Sequence, residues 1–152
     1  MKATVGFGMF LLFLAGFALV YLMSSRRAAE NNAPTVDDLA ASAWRPSIVG
    51  DTRIDADSGI YVQFETNGAL SGHAGCNNFN SGFHLEGNKI DVNPIGVTRM
   101  SCPPEIMSVE TSFIGALQLA TTVARVGNRM AMRDEQGRIT ARFVAIERHP
   151  VN

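Results

Sequence analysis

Apolar and polar residues alternate on either side of a short turn near the middle of this chain, and this pattern leaves few possible folds. In residues 60–65 every second side chain is apolar, which is the pattern of a half-buried strand. The polar residues 66–68 turn the chain back, and a second alternating run starts at Leu70. A three-residue turn with its glycine in the left-handed conformation places Phe64 opposite Leu70. The sequence therefore predicts an antiparallel hairpin with one buried face.

The second strand of this hairpin carries two glycines and one of the two cysteines of the chain. Gly72 and Gly75 weaken a strand unless backbone or a bulky side chain approaches closely, so they predict a bulge or a sharp bend. Alternation directs His73 and Gly75 away from the core. The residues predicted to face the core are Leu70, Gly72, Ala74 and Cys76.

The rest of the domain is predicted to consist mostly of strands, with one helix. Trp44, the only tryptophan, opens the first strand and anchors it in the core. Residues 96–102 are predicted to form a strand. The helix follows from Pro103 to about Ala120, with Ser101 as a candidate cap. Its apolar stripe consists of Ile106, Val109, Phe113, Ile114 and Leu117.

A three-stranded meander closes the domain. Its strands are predicted at residues 122–126, 129–133 and 138–146. The loop between the last two strands places Met132 opposite Ile139, which gives an apolar inner face with arginines outside. We therefore expect a small β-rich domain with one helix lying on the sheet.

An uncharged apolar segment precedes this domain. Residues 3–23 contain no charged side chain, and as a helix they would cover about 30 Å, the thickness of a bilayer core. A cleavable signal peptide has a shorter apolar core followed closely by small residues, whereas Arg26 and Arg27 follow this segment. We therefore predict an uncleaved signal anchor that forms a single transmembrane helix. The predicted division is a transmembrane segment at residues 1–27, a linker at 28–43 and a domain at 44–148.

Two features of the sequence give opposing indications of membrane orientation. Lys2 on one side of the apolar segment faces Arg26 and Arg27 on the other. The positive-inside rule then gives little bias, or slightly favours a cytoplasmic domain. The pair of cysteines favours export, because a single disulfide requires an oxidising compartment. We predict a single-pass protein of the inner (cytoplasmic) membrane with its C-terminal domain in the periplasm.

The charge balance disfavours a nucleic-acid partner. The formal net charge is -1, and apart from the three basic residues that flank the apolar segment the chain carries 10 basic and 14 acidic residues. No strongly basic field is therefore available to hold a phosphate backbone. The sequence also contains no Ser/His/Asp order, phosphate-binding glycine loop or paired carboxylates in a recognisable arrangement. We expect neither enzymatic activity nor a cofactor.

Two short motifs resemble those of a known family. Residues 71–79, Ser-Gly-His-Ala-Gly-Cys-Asn-Asn-Phe, are similar to the Ser-Gly-x-x-Gly-Cys-Asn signature of the META (HslJ-like) domain. Residues 98–102, Thr-Arg-Met-Ser-Cys, resemble its second signature, Thr-x-Met-Ala-Cys, with Ser101 in place of the more usual alanine. Trp44, the helix with Glu110, Phe113 and Leu117, and the final hairpin also fit this family, so the resemblance covers about residues 44–146.

The resemblance implies an α+β fold in which a strongly bent, half-barrel-like antiparallel sheet of about eight strands wraps around one helix. It also implies a bacterial envelope protein associated with heat shock, with no established enzymatic activity or catalytic residues. The anchor that looks uncleaved is a departure from the family. The signature residues are expected to be structural, and they are Gly72, Gly75, Cys76, Asn77, Thr98, Met100 and Cys102.

Cys76 and Cys102 are the residues most able to carry chemistry. The first hypothesis is a disulfide that closes a loop of about 27 residues and contributes about 3 to 4 kcal/mol. The alternative is a pair of buried thiols. A redox-active site is disfavoured because the spacing is not Cys-x-x-Cys. A zinc site shared with His73 and His84 is disfavoured because alternation puts both histidines on the face opposite the cysteines.

The sequence leads to two functional hypotheses. In the first, the chain is a non-enzymatic, membrane-tethered envelope protein whose domain is a stress-related binding module for an unidentified envelope protein. In the second, the domain is a carrier or sensor that holds a lipid or other hydrophobic ligand between the sheet and the helix. An enclosed apolar cavity of several hundred Å³ would favour the carrier, whereas a filled interior would not.

Overall fold

The computed structural model describes residues 33–148. The predicted transmembrane segment and the first residues of the predicted linker lie outside this range. No helix within the range has both the length and the apolar composition needed to span a bilayer. The helices are α1 (Val36–Ala40) and α2 (Pro104–Leu119). The strands are β1 (Ala43–Val49), β2 (Thr52–Arg53), β3 (Tyr61–Phe64), β4 (Ala69–His73), β5 (Asn78–Glu86), β6 (Lys89–Val92), β7 (Gly96–Val97), β8 (Thr122–Val126), β9 (Arg129–Arg133) and β10 (Ile139–Ile146).

The eight longer strands of residues 33–148 form a closed antiparallel barrel. Strand β1 pairs with β3 on one side and with β10 on the other, which joins the two ends of the sheet. The seam between β6 and β8 is narrow and contains the single pair Lys89 and Thr122. The half-barrel that the family resemblance implies is thus a complete barrel. Closure leaves no open edge in this ring, because both sides of β10 are paired.

The predicted hairpin is confirmed as β3 and β4. Phe64 lies opposite Leu70, and Gly68 occupies the left-handed region with φ 82°. Gly75 also has a positive φ, 108°, and marks the bend between β4 and β5. All four residues predicted to face the core, Leu70, Gly72, Ala74 and Cys76, are buried. Local alternation and turn chemistry therefore predicted this part of the fold correctly.

Gly72 leaves space for a neighbouring aromatic ring. A Cβ atom on Gly72 would lie 2.6 Å from the ring of Phe79 and 2.1 Å from the carbonyl oxygen of Tyr61. A Cβ atom on Gly115 of α2, by contrast, would meet nothing within 4 Å. The two glycines therefore differ in the packing that surrounds them.

We expect opposite effects when these two glycines are replaced. Gly72→Ala should lower the free energy of unfolding by about 1 to 3 kcal/mol, because Phe79 and the backbone of Tyr61 must shift. Gly115→Ala should raise it by about 0.5 to 1 kcal/mol, because alanine is the better helix former and meets no neighbour. Urea unfolding of both variants measures the difference. Equal effects would contradict the close packing over Gly72.

Helix α2 lies against the inner face of the barrel. The Phe113 ring contacts Phe79 of β5 and Phe143 of β10, with centroid separations of 5.9 and 6.3 Å. The predicted helix is confirmed, but its predicted stripe is only partly correct, because Ile106 is 39% exposed. Pro103 occupies the N-cap without a side-chain hydrogen bond, so the prediction of Ser101 as the cap is wrong. The buried residues of α2 are Glu110, Phe113, Ala116 and Leu117.

Residues 36–43, which the sequence analysis assigned to the linker, belong to the folded domain. Thr35 and Asp38 form a reciprocal capping box at the start of α1. Hydrogen bonds from the backbone and hydroxyl of Thr35 lower the pKa of Asp38. The Trp44 indole donates to the carbonyl of Leu39 at 2.8 Å. Arg125 pairs with Asp38 at 2.9 Å and lies over the Trp44 ring, so α1 is held at the start of β1.

The strand predicted for residues 96–102 is mostly a loop. Strand pairing ends at Val97, where β7 runs beside β5. The backbone beyond it bonds to the side chain of Asn77, to which Met100 N donates at 2.7 Å. The Met100 side chain is 53% exposed and therefore does not belong to the core. Thr98 N still donates to Asn78 O of β5 at 3.0 Å, and beyond Thr98 the Asn77 side chain is the hydrogen-bond partner of the segment.

The register between β9 and β10 differs from the prediction. Met132 lies opposite Ala141, and Ile139 lies opposite Arg133. The cause is an irregularity between Ile139 and Ala141 that follows a tight turn, in which Gly137 N donates to Asp134 O at 2.9 Å. Met132 and Ala141 are still buried, because the register shift is an even number of residues.

Candidate functional site

The two cysteines join the bend between β4 and β5 to the loop that precedes α2. Cys76 and Cys102 form a disulfide, with an S–S distance of 2.07 Å and a Cα–Cα distance of 6.0 Å. Cys76 is 2% exposed. The structure therefore contains the first of the two alternatives that the sequence left open for this pair.

Asn77, directly after Cys76, is the centre of a buried polar network. Its side-chain oxygen accepts hydrogen bonds from Thr98 Oγ1 at 2.8 Å and from the backbone of Met100 at 2.7 Å. Its side-chain nitrogen donates to the carbonyl of Met100 at 3.2 Å and to Glu110 Oε1 at 2.9 Å. One asparagine therefore holds both the second signature segment and helix α2.

Glu110 is the second member of this network. It is 6% exposed, and its carboxylate accepts the backbone N–H of Asn77 at 2.7 Å as well as the Asn77 side chain. Sequence reasoning did not select Glu110 as a site residue. The sequence does indicate that Glu110 is buried, because it lies three residues before Phe113 and seven before Leu117, within the apolar stripe of α2. A carboxylate at such a position must be hydrogen-bonded in the interior.

The signature residues have structural positions in this arrangement. Thr98 donates to Asn77 and also accepts the backbone N–H of Asn78 at 3.2 Å. Met100 contributes its backbone and not its side chain. His73 accepts the N–H of Gly75 at 3.2 Å, which supports the bend. In the part of the chain from residue 33 to 148, no cluster of three or more His, Cys, Asp or Glu residues is suited to hold a metal ion.

A surface groove of about 600 Å³ lies beside α2 and is open to solvent. We call it the α2 groove. Its lining includes Gly115 and Leu119 of α2, Asp51 from the turn after β1, Thr52 of β2, and Arg138 and Thr140 from the β9–β10 hairpin. Leu119 is 65% exposed. The Thr140 hydroxyl is buried and has no hydrogen-bond partner among the described residues. The groove therefore presents an apolar side chain and charged groups to solvent.

Solved structures with the same fold resemble this chain. A protein solved by NMR matches with a TM-score of 0.60 at 18% identity, over 74% of this chain and 95% of its own. A protein from Burkholderia xenovorans, also solved by NMR, matches with a TM-score of 0.60 at 24% identity, over 74% and 87% of the two chains. A DUF4847 family protein from Bacteroides vulgatus has a TM-score of 0.56 at 15% identity, over 74% and 98%.

These similarities establish the fold, and the family follows from the sequence. No curated protein matches the chain. The META domain family matches residues 37–147, a range that contains the barrel strands, helix α2 and the Asn77 network. The match starts at α1, in agreement with the inclusion of that helix in the fold. The chain therefore belongs to the META domain family.

Proposed function

We propose that this chain is a non-enzymatic, membrane-tethered binding module of the bacterial envelope, and that the α2 groove binds a segment of a partner protein. This proposal is based on the residues that line the groove. An exposed leucine can pack against an apolar side chain of the partner, and the exposed carboxylate of Asp51 can accept a hydrogen bond from its backbone. The family resemblance suggests in addition that this role is related to stress.

The interior of the barrel supports binding at the surface over carriage of a ligand inside. The largest buried side chains include Trp44, Phe64 and Phe143, all at most 1% exposed. The rings of Phe64 and Phe83 are in edge-to-face contact at 5.0 Å. Between the helix and the sheet, the Phe113 ring contacts Phe79 and Phe143, and such contacts leave little volume for a lipid. The carrier hypothesis therefore receives no support from this packing.

The polar signature residues support a non-enzymatic role. The side-chain oxygen of Asn77 accepts two hydrogen bonds and its nitrogen donates two, while Glu110 accepts two from Asn77. The Asn77 amide has no donor or acceptor position left for a substrate, and Glu110 is buried against it. The disulfide is compatible with the oxidising periplasm.

Capture of partners from solubilised membranes tests the α2 groove. Gly115→Leu should fill the groove and reduce recovery of a specific partner at least ten-fold, since one blocked apolar contact removes about 1.4 kcal/mol or more. Gln118→Leu, on an exposed position of the same helix outside the groove lining, is the matched control and should retain the partner. Equal recovery by both variants would contradict binding in the groove.

A reporter fused after Asn152 tests the membrane topology separately. Alkaline phosphatase, which is active only after export, should be active in this fusion, and a cytoplasmic reporter at the same position should be inactive. The reverse result would overturn the periplasmic location without affecting the groove experiment.

A further inference from the structure

The outer face of the C-terminal strands carries a basic trough. Ala124 of β8 lies opposite Ala131 of β9, which lies opposite Arg142 of β10. The small side chains of the two alanines form the bottom of a depression, and the exposed arginines Arg129, Arg133 and Arg142 line its sides. The resulting depression has a volume of about 630 Å³. We call it the arginine trough.

The basic charge of the domain is concentrated on these strands. Residues 122–148 contain six arginines and three acidic residues, whereas residues 33–121 contain four basic and ten acidic residues. Neither Arg129 nor Arg142 forms an ion pair within the described range of 33–148. An acidic domain with one unneutralised basic face approaches an anionic surface through that face.

The trough also has apolar side chains at the end nearest α1. One outward row consists of Val126, Arg129, Val144 and Arg45, in adjacent strands. Val126, next to the tip of the β8–β9 hairpin, is 67% exposed. This row lies close to α1, because Arg125 in the same hairpin pairs with Asp38. Arginine beside exposed valine is a combination suited to the boundary between lipid headgroups and acyl chains.

The predicted tether is too short to let the domain move far from a membrane. Residues 27–35 separate the basic flank of the apolar segment from the cap of α1. Even fully extended, eight residue steps span at most about 29 Å. A short tether holds the domain at a high effective concentration beside the bilayer. We propose that the arginine trough docks the domain onto anionic phospholipid headgroups of the membrane to which it is tethered.

This docking rests on the membrane tether of the proposed function, but the lipid contact can be measured without the tether. The barrel contains its own core, and two similar solved chains consist almost entirely of this fold. Residues 33–152 are therefore a suitable fragment. Co-sedimentation with vesicles of phosphatidylglycerol and phosphatidylethanolamine, compared with phosphatidylcholine vesicles, measures the partition coefficient at low and physiological salt.

We expect the fragment to bind the anionic vesicles and not the neutral ones, with weaker binding as salt increases. Arg129→Gln and Arg142→Gln should each reduce the partition coefficient about five-fold, and the double variant about 25-fold. Arg99→Gln, an exposed arginine in the loop before α2, makes the same charge change outside the trough and should alter it less than two-fold. Thermal unfolding should be unchanged in these surface variants.

Three results would overturn the docking. Equal binding to neutral vesicles would exclude recognition of anionic headgroups. An effect of Arg99→Gln as large as that of Arg129→Gln would show a response to net charge alone. Competition by millimolar glycerol phosphate would indicate a site for a soluble phosphate. The reporter fusion and the Gly115→Leu capture test the tether and the α2 groove independently, so failure of the docking is distinguishable from failure of the proposed function.

Discussion

Replacement of Glu110 with alanine is expected to lower the free energy of unfolding by about 2 to 5 kcal/mol, because two buried neutral donors lose their acceptor. The carboxylate accepts two hydrogen bonds from Asn77, at 2.7 and 2.9 Å. Asn77 is 2% exposed, so its backbone N–H and its amide would lose a partner in a place that water does not reach. Urea unfolding of the oxidised fragment of residues 33–152 measures the change.

The control for this prediction is on the same helix. Glu105 is exposed in the first turn of α2, and Glu105→Ala should cost less than about 1 kcal/mol, the size of a favourable charge at a helix N-terminus. Glu110→Gln should lower the free energy of unfolding by an intermediate amount. The glutamine oxygen can still accept one hydrogen bond from Asn77, but the glutamine NH₂ group would face the second donor of Asn77. A cost below about 1 kcal/mol for Glu110→Ala would contradict a stabilising role of the network.

Removal of the disulfide is expected to have an effect of similar size. The bond joins residues separated by 26 positions, and closing a loop of this length stabilises the folded state by about 3.5 kcal/mol in the chain-entropy description. The double variant Cys76→Ala and Cys102→Ala should therefore unfold at a correspondingly lower urea concentration. Unfolding of the oxidised protein and the variant, under otherwise identical conditions, measures the difference.

A reducing agent provides the internal control. It should bring the stability of the native sequence close to that of the double variant, and it should leave the variant unchanged. If the reducing agent leaves the free energy of unfolding of the native sequence unchanged, the disulfide contributes nothing to stability. Because Cys76 directly precedes Asn77, we also expect the effects of the double variant and of Glu110→Ala to be non-additive.

The features that sequence analysis predicted correctly depend on neighbouring residues. Alternation and the Gly68 turn were sufficient for the pairing of Phe64 with Leu70, since a hairpin register follows from turn length. The change of period after Cys102 was sufficient for helix α2. The register of Met132 was predicted wrongly, because a bulge is not visible in an alternating pattern.

The candidate site was only partly predictable for a related reason. The motifs selected Asn77 and Thr98, but their partner Glu110 lies 33 residues beyond Asn77. Ser101 was a reasonable cap by residue type, yet Pro103 occupies that position. The arginine trough depends on the pairing of β8 with β9 and of β9 with β10. The arginines of the trough therefore become neighbours only through strand pairing, which the sequence pattern does not specify.

The local elements, the pair of cysteines, the family resemblance and the expectation of a membrane anchor could all be inferred from the sequence, because each depends on period, composition or short motifs. Closure of the sheet into a barrel and the inclusion of α1 became apparent from the three-dimensional contacts. The tertiary structure also placed Glu110 against Asn77 and collected arginines on one outer face. These features require contacts between residues far apart in the chain, which arise from packing and strand pairing.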